Sequence, residues 1–206
     1  MKPKAHWEQV YSSKSATEVS WFQTHADLSL KLIRDAGVPR SGAIIDVGGG
    51  ASTLVDDLLL YGYRDISVLD LSCAALATAQ QRIGAQASKV NWLEANILDV
   101  NFPAGRFDVW HDRAVFHFLT NEVDRQVYVR KVLHAVKPGG TVIVATFAED
   151  GPTHCSGLPV MRYSADELHD EFGGRFELLE HAHETHHTPA GKEQQFVYCL
   201  CRRANS

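Results

Sequence analysis

The sequence predicts an α/β fold in which a mostly parallel sheet ends in an antiparallel hairpin. Apolar, strand-like runs alternate with helical patterns through most of the 206 residues, an order typical of parallel strands joined by helices. Thr141–Phe147 is β-branched and apolar throughout, as expected of a central strand buried on both faces. Near the end of the chain, Arg175–Thr185 and Gln194–Cys201 are strand-like. The loop between them contains Pro189 and Gly191, which predicts a hairpin.

The first part of the chain differs from this alternation. Residues 1 to about 37 have an amphipathic helical pattern with several aromatic positions. Gly37–Gly42, which contains Pro39, ends that pattern and predicts a loop. We therefore expect a helical N-terminal segment followed by the sheet.

The remaining elements follow from periodicity and from their end signals. The predicted strands before the hairpin are Ala43–Val47, Ile66–Asp70, Val90–Glu94, Phe107–His111 and Thr141–Phe147. The predicted helices are Ser52–Tyr61, Ala74–Ala87, Glu122–Val136 and Ala165–Phe172. Ser164, with Glu167 three residues later, is a capping-box pattern at the start of the last helix. Lys137–Gly140 contains Pro138 and two glycines and predicts a helix-ending turn.

Composition excludes several classes of protein. Hydrophobic residues make up 45% of the chain and charged residues 22%, as in a soluble globular domain. A net charge of −5 argues against a general nucleic-acid binder, and no apolar run approaches the roughly 20 residues that span a bilayer. No apolar core follows the basic N-terminal residues, so a signal peptide is not expected. The scattered cysteines Cys73, Cys155, Cys199 and Cys201 favour a reduced, cytoplasmic protein without a disulfide framework.

A glycine cluster between two predicted strands is the strongest functional signal. Asp46 ends the first strand, Gly48, Gly49 and Gly50 follow, and Asp70 ends the second strand about twenty residues later. This is the layout of a nucleoside-binding β-α-β unit, in which the glycines permit a sharp turn and the second acid accepts from ribose hydroxyls.

The same motif distinguishes between NAD and S-adenosylmethionine as the predicted cofactor. A dinucleotide fingerprint would have a third glycine where this chain has Thr53. Asp46 is a poor neighbour for a pyrophosphate but a good one for a cationic sulfonium amino acid. NAD therefore ranks behind S-adenosylmethionine.

Five segments, in order, resemble motifs of class I S-adenosylmethionine-dependent methyltransferases. These segments are Asp46–Gly50, Val68–Ser72, Leu93–Ile97, Phe107–Asp112 and Leu133–Gly140. The resemblance covers roughly residues 40 to 147. It implies a Rossmann-like, seven-stranded, mostly parallel sheet with an antiparallel C-terminal strand and helices on both faces. The implied organisation is an N-terminal helical lid over residues 1–40 of the same domain and a methyltransferase domain over residues 41–206.

The resemblance also implies roles for individual residues in binding S-adenosylmethionine, whose product would be S-adenosylhomocysteine. The backbone of Gly48 and Gly50 would cradle the methionine part, Asp70 would hold the ribose and Leu71 would line the adenine pocket. Asn96 stands where many relatives have an acid that accepts from adenine, and its alternative role is to cap a turn. The amide of Ile97 would meet the adenine ring. Asp46, Gly49 and His111 complete the predicted cofactor set.

Polar residues after the fourth strand are candidates for catalysis. Asp112, Arg113 and His117 lie at or beyond the carboxyl end of that strand, where ligands bind in such sheets. Arg113 could hold an anionic substrate or form an ion pair with Asp112 or another acid. His117 could act as a general base or pack on a helix face. The Asp112–Arg113 pair also resembles a short stretch of the thiopurine-type methyltransferases.

Aromatic residues near the N-terminus are candidates for a substrate lid. Tyr11, Trp21 and Phe22 could close over the cofactor or simply pack the N-terminal helices onto the sheet. This region is also similar to the start of methyltransferases related to lysine-modifying enzymes.

A metal site is not expected. The histidines His181, His183, His186 and His187, with Cys155, have none of the usual zinc-ligand spacings. Cys155, in a loop after the fifth strand, is a candidate substrate contact or a surface thiol.

Together these observations predict an enzyme that methylates a small-molecule nucleophile, with neither nucleic acid nor membrane as a partner. The alternatives are a protein lysine methyltransferase and a cofactor-binding regulatory module without turnover.

Overall fold

The computed structural model describes residues 4–13, 15 and 17–205. Within that part of the chain, seven strands form one sheet in the order β3-β2-β1-β4-β5-β9-β8. Its strands are β1 (Ala43–Val47), β2 (Asp65–Asp70), β3 (Val90–Glu94), β4 (Phe107–Arg113), β5 (Val136–Phe147), β8 (Phe176–His187) and β9 (Glu193–Arg203). A separate two-stranded ribbon joins β6 (His154–Cys155) to β7 (Leu158–Pro159).

The sheet is parallel except at β9, the C-terminal strand of the chain, as expected. β1 pairs in parallel with β2 and β4, β2 pairs in parallel with β3, and β4 pairs in parallel with β5. β9 runs antiparallel to both β5 and β8, so the antiparallel strand lies one position inside the edge. Helices α1 (Lys4–Ser13), α2 (Asp27–Asp35), α3 (Leu54–Leu60), α4 (Cys73–Ile83), α5 (Glu122–Ala135) and α6 (Ala165–Phe172) surround it.

The core has two parts, one on each face of the sheet. Alternation along β5 shows this: Val142 and Val144 belong to the cluster that packs under α5 and α6, whereas Ile143 and Ala145 belong to the cluster under α2, α3 and α4. Because both faces are covered, Thr141–Phe147 is buried throughout, as predicted.

The continuous helical pattern predicted for residues 1–37 is interrupted. Residues 17–26 form turns and irregular backbone between α1 and α2. This segment and the end of α1 are rich in serine and threonine, whose hydroxyls compete for backbone groups and favour turns over helix. Residues 1–3, 14 and 16, which fall within the predicted helical segment, lie outside the described residues.

Several further boundaries differ from the sequence prediction; α4, for example, ends at Ile83 rather than at Ala87. Lys137–Gly140 is part of β5 and not a separate turn, because Val136 already has extended backbone and pairs with Phe107. β4 continues through Asp112 and Arg113, which pair with Val144 and Ala145. The last helix was predicted correctly: the Ser164 hydroxyl accepts from the Glu167 amide and the Glu167 carboxylate accepts from the Ser164 amide.

Candidate functional site

A two-chambered cleft opens where the parallel strands end. The first chamber has a volume of about 640 Å³ and is lined by Trp7, Tyr11, Trp21, Val47, Gly48, Leu69, Asp70, Leu71, Ala95, Ile97, Arg113, Ala114, Val115, Phe118 and Cys155. The second chamber has a volume of about 530 Å³ and is lined by Val19, Trp21, Phe22, Gln23, Ala26, Ser29, Asp46, Gly48, Gly49, Ala51, Ser52, Thr53, His111 and Arg113. Gly48, Trp21 and Arg113 line both chambers.

The glycine turn after β1 is shaped by the side chains around it. Gly48 has φ +73°, and a Cβ there would lie 2.0 Å from Val115 Cγ2. A Cβ on Gly49 would lie 2.3 Å from Asp46 Oδ2, and one on Gly50 would lie 2.4 Å from Asp70 Oδ2. The glycines are therefore required because the two carboxylates and the loop after β4 approach the turn.

Asp46 is held at the floor of the second chamber by a hydrogen-bonded chain. His111 is its neighbour on β4, and the two are in register. Asp46 Oδ1 lies 2.7 Å from His111 Nδ1, and His111 Nε2 lies 2.9 Å from Ser29 Oγ. The other carboxylate oxygen, Oδ2, is buried and has no hydrogen-bond partner among the described residues. A buried carboxylate oxygen of this kind is a site for a cationic or hydrogen-bond-donating ligand group.

Asp70 occupies the corresponding position at the end of β2, in the first chamber. Its side chain is buried, and Oδ1 accepts from the amide of Ser72 at 2.8 Å. Burial raises the pKa of Asp70 to about 7. A carboxylate in this position can accept hydrogen bonds from a pair of hydroxyl groups.

The segments after β2 and β3 contribute the apolar side of the first chamber. Leu71 and Ile97, the two residues predicted to contact adenine, line this chamber. Asn96 lies between the lining residues Ala95 and Ile97, but its side-chain amide makes hydrogen bonds within its own turn. Asn96 Oδ1 accepts from the amide of Leu98 at 3.1 Å, and Nδ2 donates to Asp99 at 2.9 Å. Its side chain therefore caps the turn, which is the alternative role considered for it.

Asp112 does not take the catalytic position predicted for it. Oδ1 accepts from the amide of Val115 at 2.8 Å, and Oδ2 accepts from the amide of Phe116 at 3.1 Å and from the Tyr128 hydroxyl. Burial raises the pKa of Asp112 to about 6. Because both oxygens are used inside the protein, Asp112 fixes the turn after β4 and α5 rather than contacting a substrate.

His117 is also buried away from the cleft. Its ring packs against Phe118 and Phe147, at centroid distances of 4.5 and 4.8 Å. Neither ring nitrogen has a hydrogen-bond partner among the described residues, and burial lowers the pKa of His117 to about 3. A histidine that lines neither chamber and binds protons so weakly is a packing residue, so the general-base assignment is wrong.

Arg113 lies at the junction of the two chambers and is held by an acid that the sequence did not indicate. Its Nη2 lies 3.0 Å from Glu184 Oε2 and its Nε lies 2.9 Å from the Tyr198 hydroxyl. The guanidinium also stacks over Phe196 at 4.1 Å. The ion-pair alternative is therefore present, with Glu184 on β8 in place of Asp112.

Aromatic side chains from the N-terminal segment and from the turn after β4 form one wall of the first chamber. Trp7 contacts Trp21 and Phe118, at centroid distances of 5.9 and 5.2 Å, and Tyr11 contacts Trp21 at 5.9 Å. Tyr11 and Trp21 thus line the first chamber, and Trp21 and Phe22 line the second. Trp7 and Phe118 were missed as site residues, although the aromatic richness of the N-terminal segment was the available signal.

Helix α1 carries two of these aromatic residues and is attached to the domain by charged contacts. The Glu8 carboxylate accepts from the amides of Cys73 and Ala74, at 2.7 and 3.2 Å, at the start of α4. Lys4 forms an ion pair with Glu94 at the end of β3. No residue of α1 is fully buried, so the helix lies over the cleft rather than within the core.

Cys155 and the histidines have different surroundings in the structure. The Cys155 thiol lines the first chamber, and burial raises its pKa to about 12. His186 Nε2 lies 2.7 Å from the Ser20 carbonyl oxygen, and the His181 and His183 rings are 6.1 Å apart. In the part of the chain that the structure describes, no group of three or more His, Cys, Asp or Glu side chains is placed to hold a metal ion.

Comparison with known families agrees with this geometry. Residues 44–140 match the model of a family described as a methyltransferase domain. This stretch runs from β1 through the glycine turn, Asp70 and Arg113 to the start of β5, and so contains most of the cleft.

Curated relatives divide between protein and small-molecule methyltransferases. The eEF1A lysine and N-terminal methyltransferase of Mus musculus is 22% identical over 138 residues, which are 67% of this chain and 19% of that protein. The EEF1A lysine methyltransferase 2 of Homo sapiens is 20% identical over 86% of this chain and 75% of that protein. The ubiquinone/menaquinone biosynthesis C-methyltransferase of Shewanella woodyi is 23% identical over 66% of this chain and 54% of that protein. The chain thus spans about a fifth of the mouse relative.

Solved structures share the whole fold. One, from a study of the conversion of a disulfide bond into a thioacetal group during echinomycin biosynthesis, has a TM-score of 0.80 at 18% identity, covering 98% of this chain and 93% of that one. Another is the 1,6-didemethyltoxoflavin-N1-methyltransferase of Burkholderia thailandensis, with S-adenosylhomocysteine bound. It has a TM-score of 0.70 at 17% identity, covering 98% of this chain and 84% of that one.

The seven-stranded sheet, the glycine turn and the family match lead to one assignment. Residues 44–140 match the methyltransferase domain family, and the chain has the Rossmann-like fold of the class I S-adenosylmethionine-dependent methyltransferases.

Proposed function

We propose that this chain transfers a methyl group from S-adenosylmethionine to a small-molecule nucleophile by in-line displacement. The observation that carries the proposal is the buried Oδ2 of Asp46, which has no partner among the described residues and belongs to a chamber-lining side chain. The α-ammonium group of the methionine part would satisfy that oxygen. Gly48 and Gly49, whose Cβ positions are already occupied by neighbours, would present their backbone to the same part of the ligand.

The first chamber fits the nucleoside half of the same ligand. Asp70 would accept from the two ribose hydroxyls, and Leu71 and Ile97 would pack on the adenine ring. The Asn96 side chain would act indirectly, because it fixes the turn that presents the Ile97 amide. His111 would act on the other half by holding Asp46 in place.

When bound, S-adenosylmethionine supplies an electrophilic methyl group on a sulfonium leaving group. The residues of this chain contribute orientation and exclusion of water. Two anchoring points, Asp46 and Asp70, fix the ligand at its two ends, which restricts the direction from which a nucleophile can approach. Residues 1–40 form the proposed lid, and its helix α1 covers the first chamber with Trp7 and Tyr11.

Replacement of Asp46 tests the cofactor assignment. Asp46→Asn retains the size of the side chain but removes the charge, so binding of S-adenosylhomocysteine should weaken about tenfold or more, as expected for a lost charged hydrogen bond. Binding of 5′-methylthioadenosine, which has no amino-acid part, should stay unchanged. Titration calorimetry measures both, and equal losses for the two ligands would contradict the placement of the ammonium group.

Turnover is tested separately from binding. The purified chain, S-adenosylmethionine and the small-molecule fraction of a cell extract should yield S-adenosylhomocysteine. Intact cofactor binding without any product in small-molecule or protein fractions would favour a regulatory module that binds the cofactor without turnover.

A protein lysine is the second candidate acceptor, because the mouse and human relatives carry names of lysine methyltransferases. Against it, the first chamber is covered by α1 and walled by Trp7, Trp21 and Phe118, which suits a small apolar acceptor better than a side chain on a large partner. Label that appeared on a protein and not on small molecules would reverse this preference.

No membrane partner is proposed. Among the residues that the structure describes, no helix has the length and apolar character needed to cross a bilayer.

A further inference from the structure

The acceptor end of the first chamber is aromatic. Trp7, Tyr11, Trp21 and Phe118 pack edge to face or tilted against one another, with centroid distances between 5.2 and 6.5 Å. Cys155 adds a thiol to the same chamber. These side chains are polarisable, and sulfur atoms make favourable contacts with aromatic rings.

No described residue lining the first chamber is available as a general base for the acceptor. Its side chains with nitrogen, oxygen or sulfur atoms are Trp7, Tyr11, Trp21, Asp70, Arg113 and Cys155. Indole and guanidinium groups are hydrogen-bond donors only, and the proposed function assigns Asp70 to the ribose. Partial burial, together with the nearby Asp70 charge, raises the pKa of Tyr11 well above its usual value, and burial raises that of Cys155 to about 12, so both stay protonated near neutral pH.

The charge in the chamber disfavours a cationic acceptor. Arg113 lines it, and its Nε and Nη2 are engaged by Tyr198 and Glu184, whereas Nη1 has a 3.5 Å contact with the Trp21 carbonyl oxygen. An ammonium group would have to lose its hydration beside this guanidinium and beside the sulfonium of the cofactor. An anionic nucleophile would instead be attracted to the sulfonium, since Glu184 already neutralises the Arg113 guanidinium.

We propose that the acceptor is a thiol on a small apolar body, methylated on sulfur as its thiolate. This inference rests on the proposed function and names its substrate class. Because the chamber lining offers no base, it favours a nucleophile that carries no proton on the reacting atom when it binds. A thiol whose pKa is near that of cysteine, about 8.5, meets this condition better near neutral pH than an amine whose pKa is near that of lysine, about 10.4.

The chemical step needs no further reagent. The thiol proton passes to bulk water, and a sulfur lone pair of the thiolate attacks the methyl carbon. The new carbon–sulfur bond forms while the sulfonium carbon–sulfur bond breaks. The electron pair of the broken bond stays on the departing sulfur, so the products are a methyl thioether and S-adenosylhomocysteine.

Matched probes test the proposal. 2-Phenylethanethiol and 2-phenylethylamine have the same apolar body and differ in the nucleophile. With the full chain and saturating S-adenosylmethionine at about pH 8, the thiol should be methylated at least about tenfold faster, because the amine must lose the hydration of its ammonium group to enter the chamber and the thiol does not. Faster methylation of the amine, or of 4-ethylpyridine as an uncharged ring nitrogen, would overturn the assignment to sulfur.

A binding measurement gives a readout that does not depend on turnover. In the presence of S-adenosylhomocysteine, quenching of Trp7 and Trp21 fluorescence should show the thiol binding at least about tenfold more tightly than the amine, because the ammonium group must be desolvated. Tighter binding of the amine would contradict the charge argument.

The pH dependence of the methylation rate tests whether the chain supplies a general base. The rate with 2-phenylethanethiol should rise up to the pKa of the probe itself and then level off. Tyr11→Phe and Cys155→Ala should retain that inflection even if the overall rate changes. An inflection that moves or disappears in either variant would show that the chain supplies a base and would overturn the proposal.

Failure of this inference is distinguishable from failure of the proposed function. If S-adenosylhomocysteine forms with a cell extract but not with thiol probes, the substrate class is wrong and the methyltransferase proposal stands. If cofactor binds and no acceptor of any class is methylated, the proposed function fails with it.

Discussion

The floor of the cleft and its N-terminal cover are built in different ways. The floor consists of Asp46, Gly48–Gly50 and Asp70, at the ends of two adjacent parallel strands, and its two carboxylates are only 2% and 7% exposed. The cover is α1, which has no fully buried residue and is attached through Glu8 and Lys4. The floor is therefore fixed by the core, whereas the cover depends on a few surface contacts.

This difference sets the expected size of mutational effects. Changes in the floor remove interactions made in a low-dielectric, preorganised site, where each lost hydrogen bond is costly. Changes in the cover remove contacts that water can partly replace. We expect the floor to control cofactor affinity and the cover to adjust it.

The largest effect is expected from Asp70→Ala. The substitution leaves buried polar partners of the carboxylate unmade, which costs about 1–3 kcal/mol, so the dissociation constant for S-adenosylhomocysteine should rise about 5- to 150-fold. Titration calorimetry measures it. Asp35→Ala, which removes an exposed acid paired with Lys31 on α2, is the control and should bind normally. Unchanged affinity in Asp70→Ala would remove Asp70 from the site.

A second test adds a methyl group at a crowded position in the floor of the cleft. Gly50→Ala places a Cβ 2.4 Å from Asp70 Oδ2 and 2.7 Å from Ala75 Cβ. Overpacking of this kind costs about 1–3 kcal/mol, which for a chain of this size corresponds to a fall in Tm of about 2–12 °C, together with weaker cofactor binding. Gly174→Ala, where an added Cβ has nothing within 4 Å, is the matched control. Equal Tm values for both variants would contradict the crowded geometry of the turn.

The pH dependence of cofactor affinity examines the charge state of the floor. Burial raises the pKa of Asp70 to about 7 in the free protein, and ribose hydroxyls donate better to the ionised carboxylate. The ligand thus binds the deprotonated form more tightly, so affinity should rise about tenfold between about pH 6 and about pH 8 and then level off. Asp70→Asn should flatten this rise. An affinity that falls across the same range would mean that the protonated acid is the binding form.

The smallest effect is expected in the cover. Glu8→Gln weakens the anionic contact with the N-terminus of α4, which is worth a few tenths to about 1 kcal/mol. Affinity for S-adenosylhomocysteine should fall about two- to fivefold, with no change in Tm. Gln9→Ala, an exposed position on the same helix, serves as the control. A loss in Glu8→Gln as large as that in Asp70→Ala would mean that the cover is part of the binding site proper.

The floor could be predicted from sequence because its geometry follows from chain connectivity. A strand, a glycine turn and a second strand ending in an acid place Asp46 and Asp70 at one edge of a parallel sheet, whatever surrounds them. The seven-stranded topology, with β9 antiparallel, followed from the family resemblance and the C-terminal hairpin.

The remaining features depend on contacts between distant residues. Arg113 is paired with Glu184, which is 71 positions away, and the sequence offered Asp112 as the nearer acid. Asp112 is instead enclosed by Tyr128 on α5 and by the turn after β4. His117 is buried against Phe147. Local patterns do not contain these packing relations, so the acceptor side was predicted less well than the floor.

The most direct test of the central claim is transfer of radiolabelled methyl groups from S-adenosylmethionine into a lysate of the source cell, resolved by size. The account predicts that the purified chain places label in the small-molecule fraction and that Asp70→Ala places far less there. Label confined to a protein band would contradict the small-molecule assignment and favour the lysine-type activity.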